Sequence, residues 1–211
     1  MSSSRSIMHF THLKNLPGIF AAGCLQADSL VDRRSALKVE AADLDIKAAR
    51  KRVQVPLAPY GCVADYVPFY FAPRSPMLYK LAKGSVANYT GGQDALVYLV
   101  SSAEKVASSG ASFLFSDGNC ASAVTQYASD LTLLESTVDW EVMKAYMWAN
   151  TADDPDRKRR RMAEFLVHQR LPVSCLAEIT VRHDTMKQQV NQLLAAHRID
   201  LPVRVRPDWY F

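Results

Sequence analysis

The sequence predicts a single mixed α+β domain over residues 1–211. Its 211 residues match the usual size of one domain. Apolar types make up 49% and charged types 22%, which is the composition of a folded globular protein. Short strand patterns and short helix patterns follow one another without a regular βαβ rhythm, so a doubly wound parallel sheet is not expected.

The first half of the chain combines apolar strands with short helices. The segment ALVYLV is almost wholly apolar, as in a strand that is buried on both faces. Gly23 follows a helical pattern and can cap it, while an acidic start at Asp43 and a basic end at Arg52 suit the dipole of a second helix. Strands are predicted at 6–11, 67–71, 95–100 and 111–115, and helices at 13–22, 43–52, 76–82 and 101–108.

The second half is polar and weakly periodic between residues 116 and 156. Small helices are predicted there at 121–128 and 140–146. The spacing of Met186, Val190 and Leu194 places three apolar side chains on one face of a later helix. That helix is predicted at 185–197, and strands are predicted at 163–167, 175–181 and 203–205.

Composition argues against several classes of protein. No uncharged run reaches the length of a membrane span, and the N-terminus lacks the apolar segment of a secretory signal, so we expect a cytoplasmic protein without membrane association. The four cysteines have no CxxC spacing, so free thiols are expected, although two disulfides are arithmetically possible. The five histidines show no metal-ligand spacing, so no metal is expected. The net charge of +4 permits a polyanionic partner without requiring one.

No common catalytic motif is present, neither GxGxxG, nor a P-loop, nor HExxH, nor GxSxG. Polar residues inside apolar segments are therefore the candidates. His9 lies in the first strand, with Thr11 on the same face. Glu164 lies in the apolar run AEFLV, where a buried carboxylate is costly unless it is paired or used. The alternatives are a core histidine and a carboxylate that points to solvent.

Charged and aromatic clusters add three candidates. Arg50 and Arg52 end a helix, where solvated cations also occur without any function. Tyr70 and Phe71 belong to an aromatic cluster of a kind that more often forms core. The run RKRRR at 157–161 is typical of a phosphate-binding segment, and equally of a solvated helix face.

Five sequence blocks resemble the DarT family, the DNA ADP-ribosyltransferase toxins of bacterial toxin–antitoxin pairs. They span nearly the whole chain in family order. The resemblance implies an ADP-ribosyltransferase-like fold, with a split, twisted central β-sheet, surrounding helices and NAD in the cleft. The blocks are HFTHLKNLPGIFAAGCL at 9–25, DYVPFYFAPRSPMLY at 65–79, TGGQDALVYLVSS at 90–102, AEFLV at 163–167 and DWYF at 208–211.

The resemblance also implies roles for individual residues. Glu164 resembles the catalytic glutamate. Arg50 resembles an arginine that contacts the NAD phosphates and assists the reaction, with Arg52 as the competing choice. The implied NAD-binding residues are His9, Thr11, Asn15, Arg50, Tyr70 and Phe71.

The implied activity is transfer of ADP-ribose from NAD to a base, thymidine first, in single-stranded DNA. A duplex hides the pairing edge of a base, which favours a single strand. The implied partner is a macrodomain antitoxin, and no metal is required. The alternatives are guanosine, RNA or protein as acceptor, or a non-catalytic nucleic-acid-binding domain on this fold. DNA contacts are expected from stacking by Tyr146 and Trp148 and from phosphate binding by Arg157, Arg159, Arg160 and Arg161.

Overall fold

A computed structural model of the chain describes residues 4–31 and 38–211. Its strands are β1 (Ser6–His12), β2 (Cys24–Gln26), β3 (Tyr66–Tyr70), β4 (Leu96–Ser102), β5 (Phe113–Ser116), β6 (Tyr127–Ala128), β7 (Glu164–His168), β8 (Arg170–Pro172), β9 (Glu178–Val181) and β10 (Val203–Val205). Eight of them form one sheet in the order β10-β9-β4-β1-β3-β7-β5-β6, in which only β10 and β9 are parallel. β2 and β8 form a separate antiparallel pair, which the sequence patterns do not predict.

The large sheet is split between β1 and β3. β1 pairs with β4 along its whole length, but its pairing with β3 is confined to Met8 opposite Tyr70. Beyond that position the two strands separate, and residues of both line a cleft. The expected α+β fold with a split central sheet is confirmed.

Local sequence explains where the helices begin and end. The Asp43 carboxylate accepts hydrogen bonds from the N–H groups of Asp45 and Ile46 at the start of the second helix. Gly23 ends the first helix with φ of 66°, a left-handed conformation that costs glycine little. The helices are α1 (Leu16–Ala22), α2 (Leu44–Arg50), α3 (Pro76–Ala82), α4 (Ala103–Ser108), α5 (Leu134–Thr137), α6 (Trp140–Lys144), α7 (Arg157–Arg161) and α8 (Asp184–Ala196).

The central strands and the last helix supply much of the core. Residues 96–100 of β4 are all buried, as the ALVYLV segment predicts. Met186, Val190 and Leu194 of α8 are buried on one face, which confirms the predicted spacing. Near the C-terminus the buried Tyr210 hydroxyl is within hydrogen-bonding distance of the carbonyl oxygens of Leu96 (3.1 Å) and Thr180 (3.2 Å).

The helix predicted at 121–128 is wrong. Tyr127 and Ala128 form β6 and pair with the end of β5. The residues before them form turns, in which the Asn119 carbonyl accepts hydrogen bonds from the Ser122 N–H and the Thr125 hydroxyl. Side-chain bonds of this kind compete with helix formation, and sheet pairing then fixes the following residues.

All four cysteines are free, as expected. Over the described ranges, no helix has both the length and the apolar character needed to cross a membrane. Within the same ranges, no group of three or more His, Cys, Asp or Glu side chains is arranged to hold a metal ion.

Candidate active site

The cleft at the split of the sheet has a volume of about 240 Å³. Strands β1 and β3 form two of its walls, and α2 with the segment before it forms another. The residues predicted to bind NAD converge here with one exception. Those that line the cleft are His9, Thr11, Asn15, Arg50 and Tyr70.

His9 bridges the split between the two halves of the sheet. Its Nδ1 lies 2.8 Å from the carbonyl oxygen of Pro68. Since a carbonyl can only accept a hydrogen bond, Nδ1 carries the proton and Nε2 of the neutral ring is an acceptor. Burial lowers the pKa of His9, the hydrogen bond to Pro68 opposes this, and the charge of Arg50 lowers the pKa further. His9 is therefore neutral at pH 7 and can accept a hydrogen bond from a ligand hydroxyl.

Glu164 and Arg50 form a buried ion pair. Nη1 of Arg50 donates to both carboxylate oxygens of Glu164, at 3.1 and 2.8 Å. The Glu164 residue is only 2% exposed. Burial alone lowers the pKa of Arg50, but the adjacent carboxylate outweighs this and the net pKa is raised. Arg50 is therefore charged, and its Nη2 is buried without a hydrogen-bond partner among the described residues.

The two candidate arginines of this segment differ in their surroundings. Arg50 ends α2 and turns inward to Glu164, with its side chain 18% exposed. Arg52 lies two residues beyond the helix and is exposed. The geometry brings Arg50, the first choice of the sequence analysis, to the candidate catalytic glutamate and does not bring Arg52 there.

Three residues behind Glu164 escaped the sequence analysis. The Ser116 hydroxyl accepts a hydrogen bond from the Glu164 N–H at 3.0 Å and donates to the Gly118 carbonyl at 2.7 Å. Cys120 is buried nearby, and burial followed by the Glu164 charge raises the pKa of its thiol. The Tyr127 hydroxyl donates to the Cys120 carbonyl at 3.1 Å. All three lie in the weakly periodic stretch after residue 115, which offers no pattern that could have identified them.

Asn15 is buried and uses its whole side chain within the protein. Its Nδ2 donates to Thr11 Oγ1 (3.2 Å) and to the Val39 carbonyl (2.9 Å). Its Oδ1 accepts from the N–H groups of Lys38 (3.0 Å) and Val39 (2.9 Å). Asn15 therefore holds the segment that forms one wall of the cleft.

The aromatic candidates separate into a cleft residue and a core residue. Tyr70 lines the cleft, and burial and the Glu164 charge raise the pKa of its hydroxyl. Phe71 is buried elsewhere, with its ring centroid 5.6 Å from Trp140 and 6.2 Å from Phe165. Phe71 directly follows β3 and does not line the cleft, so it belongs to the core and does not occupy the place beside NAD that the resemblance implied.

Four aromatic residues and one arginine form a face that we call the acceptor platform: Arg74, Tyr79, Tyr146, Trp148 and Phe211. Tyr146 is 71% exposed. The Arg74 guanidinium lies 4.0 Å from the ring centroid of Tyr146 and 4.5 Å from that of Phe211. Tyr79 makes edge contacts with Trp148 at 6.0 Å and with Phe211 at 5.0 Å. The sequence analysis named Tyr146 and Trp148, but not the other three.

The basic run of α7 is largely occupied by contacts within the protein. Arg159 pairs with Asp117 (2.9 Å) and Asp156 (2.7 Å). Arg160 pairs with Asp139 and Asp154. These carboxylates neutralise the two arginines, which the sequence analysis expected to contact phosphate.

Arg161 lies in surroundings that do not fit a phosphate contact. It is 5% exposed, and its guanidinium donates to backbone carbonyls. Arg157 and the exposed Lys158 lack a carboxylate partner among the described residues, and the Nε of Arg157 has no hydrogen-bond partner there. These two side chains are the cations of the run that remain available to an anion.

Comparisons with known proteins agree with this geometry. A family model described as "ssDNA thymidine ADP-ribosyltransferase, DarT" matches residues 8–211. A DNA ADP-ribosyl transferase of Thermus aquaticus is 40% identical over 210 residues, which cover 97% of this chain and 88% of the relative. A fusion of a DNA ADP-ribosyl transferase with a DNA ADP-ribosyl glycohydrolase, from Thermosipho africanus, is 24% identical over 98% of this chain and 50% of the fusion.

Two solved structures of Thermus sp. 2.9 DarT share the fold. The structure in complex with ADP-ribosylated ssDNA has a TM-score of 0.92 and 34% identity, and the match covers 99% of this chain and 97% of that chain. The structure in complex with NAD+ has a TM-score of 0.87 and 34% identity, covering 99% of this chain and 98% of that chain.

Proposed function

The chain belongs to the DarT family of ssDNA thymidine ADP-ribosyltransferases, and from this premise we propose how its residues transfer ADP-ribose from NAD to single-stranded DNA. The observation that carries the proposal is that Arg50, which lines the cleft together with His9, is paired with the buried carboxylate of Glu164. Thermus sp. 2.9 DarT, which shares this fold, has been solved in complex with NAD+ and in complex with ADP-ribosylated ssDNA. NAD is the co-substrate.

The cleft residues have the chemistry that NAD needs. Nη2 of Arg50 is a buried donor without a partner among the described residues, and a pyrophosphate oxygen would satisfy it. Nε2 of His9 is an acceptor suited to a ribose hydroxyl. Asn15 and Thr11 support these groups by holding the wall at residues 38–39. Tyr70 adds an aromatic surface for the nicotinamide ring.

NAD supplies the ADP-ribosyl group, and its nicotinamide departs as a neutral molecule when the bond to the ribose breaks. Positive charge develops on the ribose as that bond breaks, as in glycoside transfer. Glu164 stabilises this charge because its carboxylate is buried and held in place by Arg50, while Ser116 fixes the backbone N–H of the same residue. The same carboxylate can take the proton from the attacking base nitrogen.

The acceptor reaches the cleft from the side of the acceptor platform. We assign thymidine, the base in the family's description, as the acceptor; its N3–H lies on the pairing edge, which is free in a single strand. Tyr146 and Trp148 stack on neighbouring bases. Arg157 and Lys158 contact the phosphates, since the other cations of α7 are used within the protein.

The test is a matched panel of acceptors. The protein is incubated with NAD and a thymidine-containing single-stranded oligonucleotide, and mass spectrometry measures the addition of one ADP-ribosyl group. An oligonucleotide with every thymidine replaced by deoxyuridine tests the methyl group, and others with guanosine alone, RNA or protein test the alternative acceptors. Modification of the thymidine oligonucleotide alone is expected. Modification of RNA, guanosine or protein would replace the acceptor assignment, and no modification at all would support the non-catalytic alternative.

We also propose that the chain is a toxin whose partner is a macrodomain antitoxin that removes the modification. Support comes from the Thermosipho africanus relative, in which a DNA ADP-ribosyl glycohydrolase is fused to the transferase. This chain spans half of that fusion protein. Induced expression in bacteria should stop growth, while the Glu164→Gln variant should not, and co-expression of a glycohydrolase macrodomain should restore growth. The cytoplasm remains our prediction for its location.

A further inference from the structure

Arg161 is a buried cation that interacts with carbonyl groups instead of a carboxylate. Its Nη1 donates to the carbonyl oxygens of Val142 (2.8 Å), Met143 (2.6 Å) and Ala145 (3.3 Å), and its Nη2 donates to that of Pro73 (2.6 Å). Burial lowers the pKa of Arg161 to about 10, so the guanidinium stays charged at pH 7.

The carbonyl groups that Arg161 binds belong to two separate segments. Those of Val142, Met143 and Ala145 lie at the end of α6 (Trp140–Lys144), where the helix dipole favours a cation. Pro73 lies in the loop between β3 and α3. One guanidinium therefore ties the end of α6 to that loop.

Each of these segments carries a member of the acceptor platform as its next residue. Tyr146 follows Ala145, and Arg74 follows Pro73. The Arg74 guanidinium stacks on the Tyr146 ring at 4.0 Å. Arg74 also has φ of 56°, a left-handed conformation that is unfavourable for arginine and needs support from its surroundings. The hydrogen bond from Arg161 to the Pro73 carbonyl supplies part of that support, together with the bond from the Arg74 N–H to the Tyr98 hydroxyl (3.3 Å).

Arg161 also stands close in the chain to the catalytic strand. It is the last residue of α7, and β7 begins three residues later at Glu164. Backbone bonds from Met162 to Arg159 and from Ala163 to Arg160 hold the short connection. Arg161 therefore links the acceptor platform to β7, the strand that carries the Glu164 carboxylate.

We propose that Arg161 is a positioning residue for the DNA acceptor, which sets Tyr146 and Arg74 relative to Glu164 without touching DNA. The inference rests on the proposed function, in which the acceptor platform binds single-stranded DNA. A lysine at this position cannot reproduce the contacts, because its ammonium is a single point with three donors, whereas the planar guanidinium reaches both segments.

The experiment is a double-mutant cycle on DNA binding. Arg161→Lys, Tyr146→Ala and the combined variant are compared with the unaltered protein, and Arg204→Lys, an exposed arginine paired with Glu178 on β9, serves as the control. Fluorescence polarisation measures the Kd of a labelled thymidine-containing oligonucleotide, calorimetry measures the Kd of NAD, and thermal unfolding gives Tm. Arg161→Gln is a second variant at the same site.

Arg161→Lys is expected to raise the oligonucleotide Kd about tenfold, the size of one lost base stack, and to change the NAD Kd less than twofold. The effect should disappear when Tyr146 is already alanine. Arg204→Lys should leave both constants unchanged.

Other outcomes distinguish the proposed function of the platform from the proposed role of Arg161. If Tyr146→Ala binds DNA normally, the proposed function of the platform fails. If Tyr146→Ala weakens binding and Arg161→Lys does not, the inference about Arg161 alone fails. Three results would show that Arg161 has only a general structural role and would overturn the inference. They are an equal loss of DNA and NAD binding, additivity with Tyr146→Ala, and failure of both Arg161 variants to fold.

Discussion

The cleft that contains Arg50 and His9 buries charged groups and still leaves ligand-binding atoms without a partner among the described residues. In α7, by contrast, most arginines already have partners within the protein. Arg50 pairs with Glu164 through Nη1 and keeps Nη2 unpartnered among the described residues. Arg159 and Arg160 use their guanidinium groups on aspartates. A run of cations in a sequence is therefore not by itself evidence of phosphate binding, since carboxylates within the protein can neutralise these cations.

The largest expected effect in the donor cleft comes from Glu164→Gln. The amide keeps an acceptor for Arg50 but loses the charge and the base, so kcat should fall by about 10²–10⁴-fold. Steady-state transfer to a thymidine-containing oligonucleotide measures kcat, and calorimetry should show NAD binding within a few fold. Near-normal turnover would contradict the catalytic assignment.

The next effect distinguishes the two arginines near the end of α2. Arg50→Ala leaves the buried Glu164 charge without its partner and removes the proposed phosphate ligand, so kcat/KM for NAD should fall by about two orders of magnitude. Arg52→Ala should change it less than twofold, because that side chain is exposed. Equal losses of kcat/KM for NAD in the two variants would contradict the assignment of Arg50 over Arg52.

On the acceptor side, the salt dependence of DNA binding tests which cations are available. Replacing Arg157 and Lys158 by Gln should lower the slope of log affinity against log salt by about 1.4, since each single-strand phosphate contact contributes about 0.7. The matched control replaces Arg159 and Arg160 by Gln. It should lower stability, because four aspartates lose their partners, and leave the slope unchanged. A lower slope in the Arg159 and Arg160 variant, with an unchanged slope in the Arg157 and Lys158 variant, would assign the DNA contacts to the paired arginines.

The smallest expected effect concerns His9 and pH. Its pKa is lowered in the folded protein, so the unfolded chain binds more protons just below the ordinary value of about 6.5. The contribution of His9 to stability is therefore present at neutral pH and lost as the pH falls. Urea unfolding at pH 7.5 and 5.5 should show a smaller loss of stability on acidification in His9→Asn than in the unaltered protein. An unchanged loss would mean that His9 is not held neutral by its surroundings.

Most of the fold could be predicted from local patterns. The predictions that failed concern segments whose conformation depends on pairing with a distant strand. The continuous apolar run of β4, the helical spacing in α8, the glycine that ends α1 and the acidic start of α2 are local signals, and the structure confirms them. The predicted helix at 121–128 failed because sheet pairing with β5 fixes Tyr127 and Ala128. The small sheet of β2 and β8 was missed because three-residue strands are too short to show alternation.

The sequence by itself determined the fold class, the family and the polar residues that stand inside apolar strands, because each of these is recorded in local pattern or in continuous motif blocks. Only the tertiary structure decided which charges remain available. It joined Arg50 to Glu164 across 114 positions, moved Phe71 into the core, paired Arg159 and Arg160 with aspartates and buried Arg161 among carbonyl groups. A cation can be neutralised by any carboxylate, or satisfied by any set of carbonyl groups, that the fold brings within a few ångströms, and that proximity has no local signature in the chain.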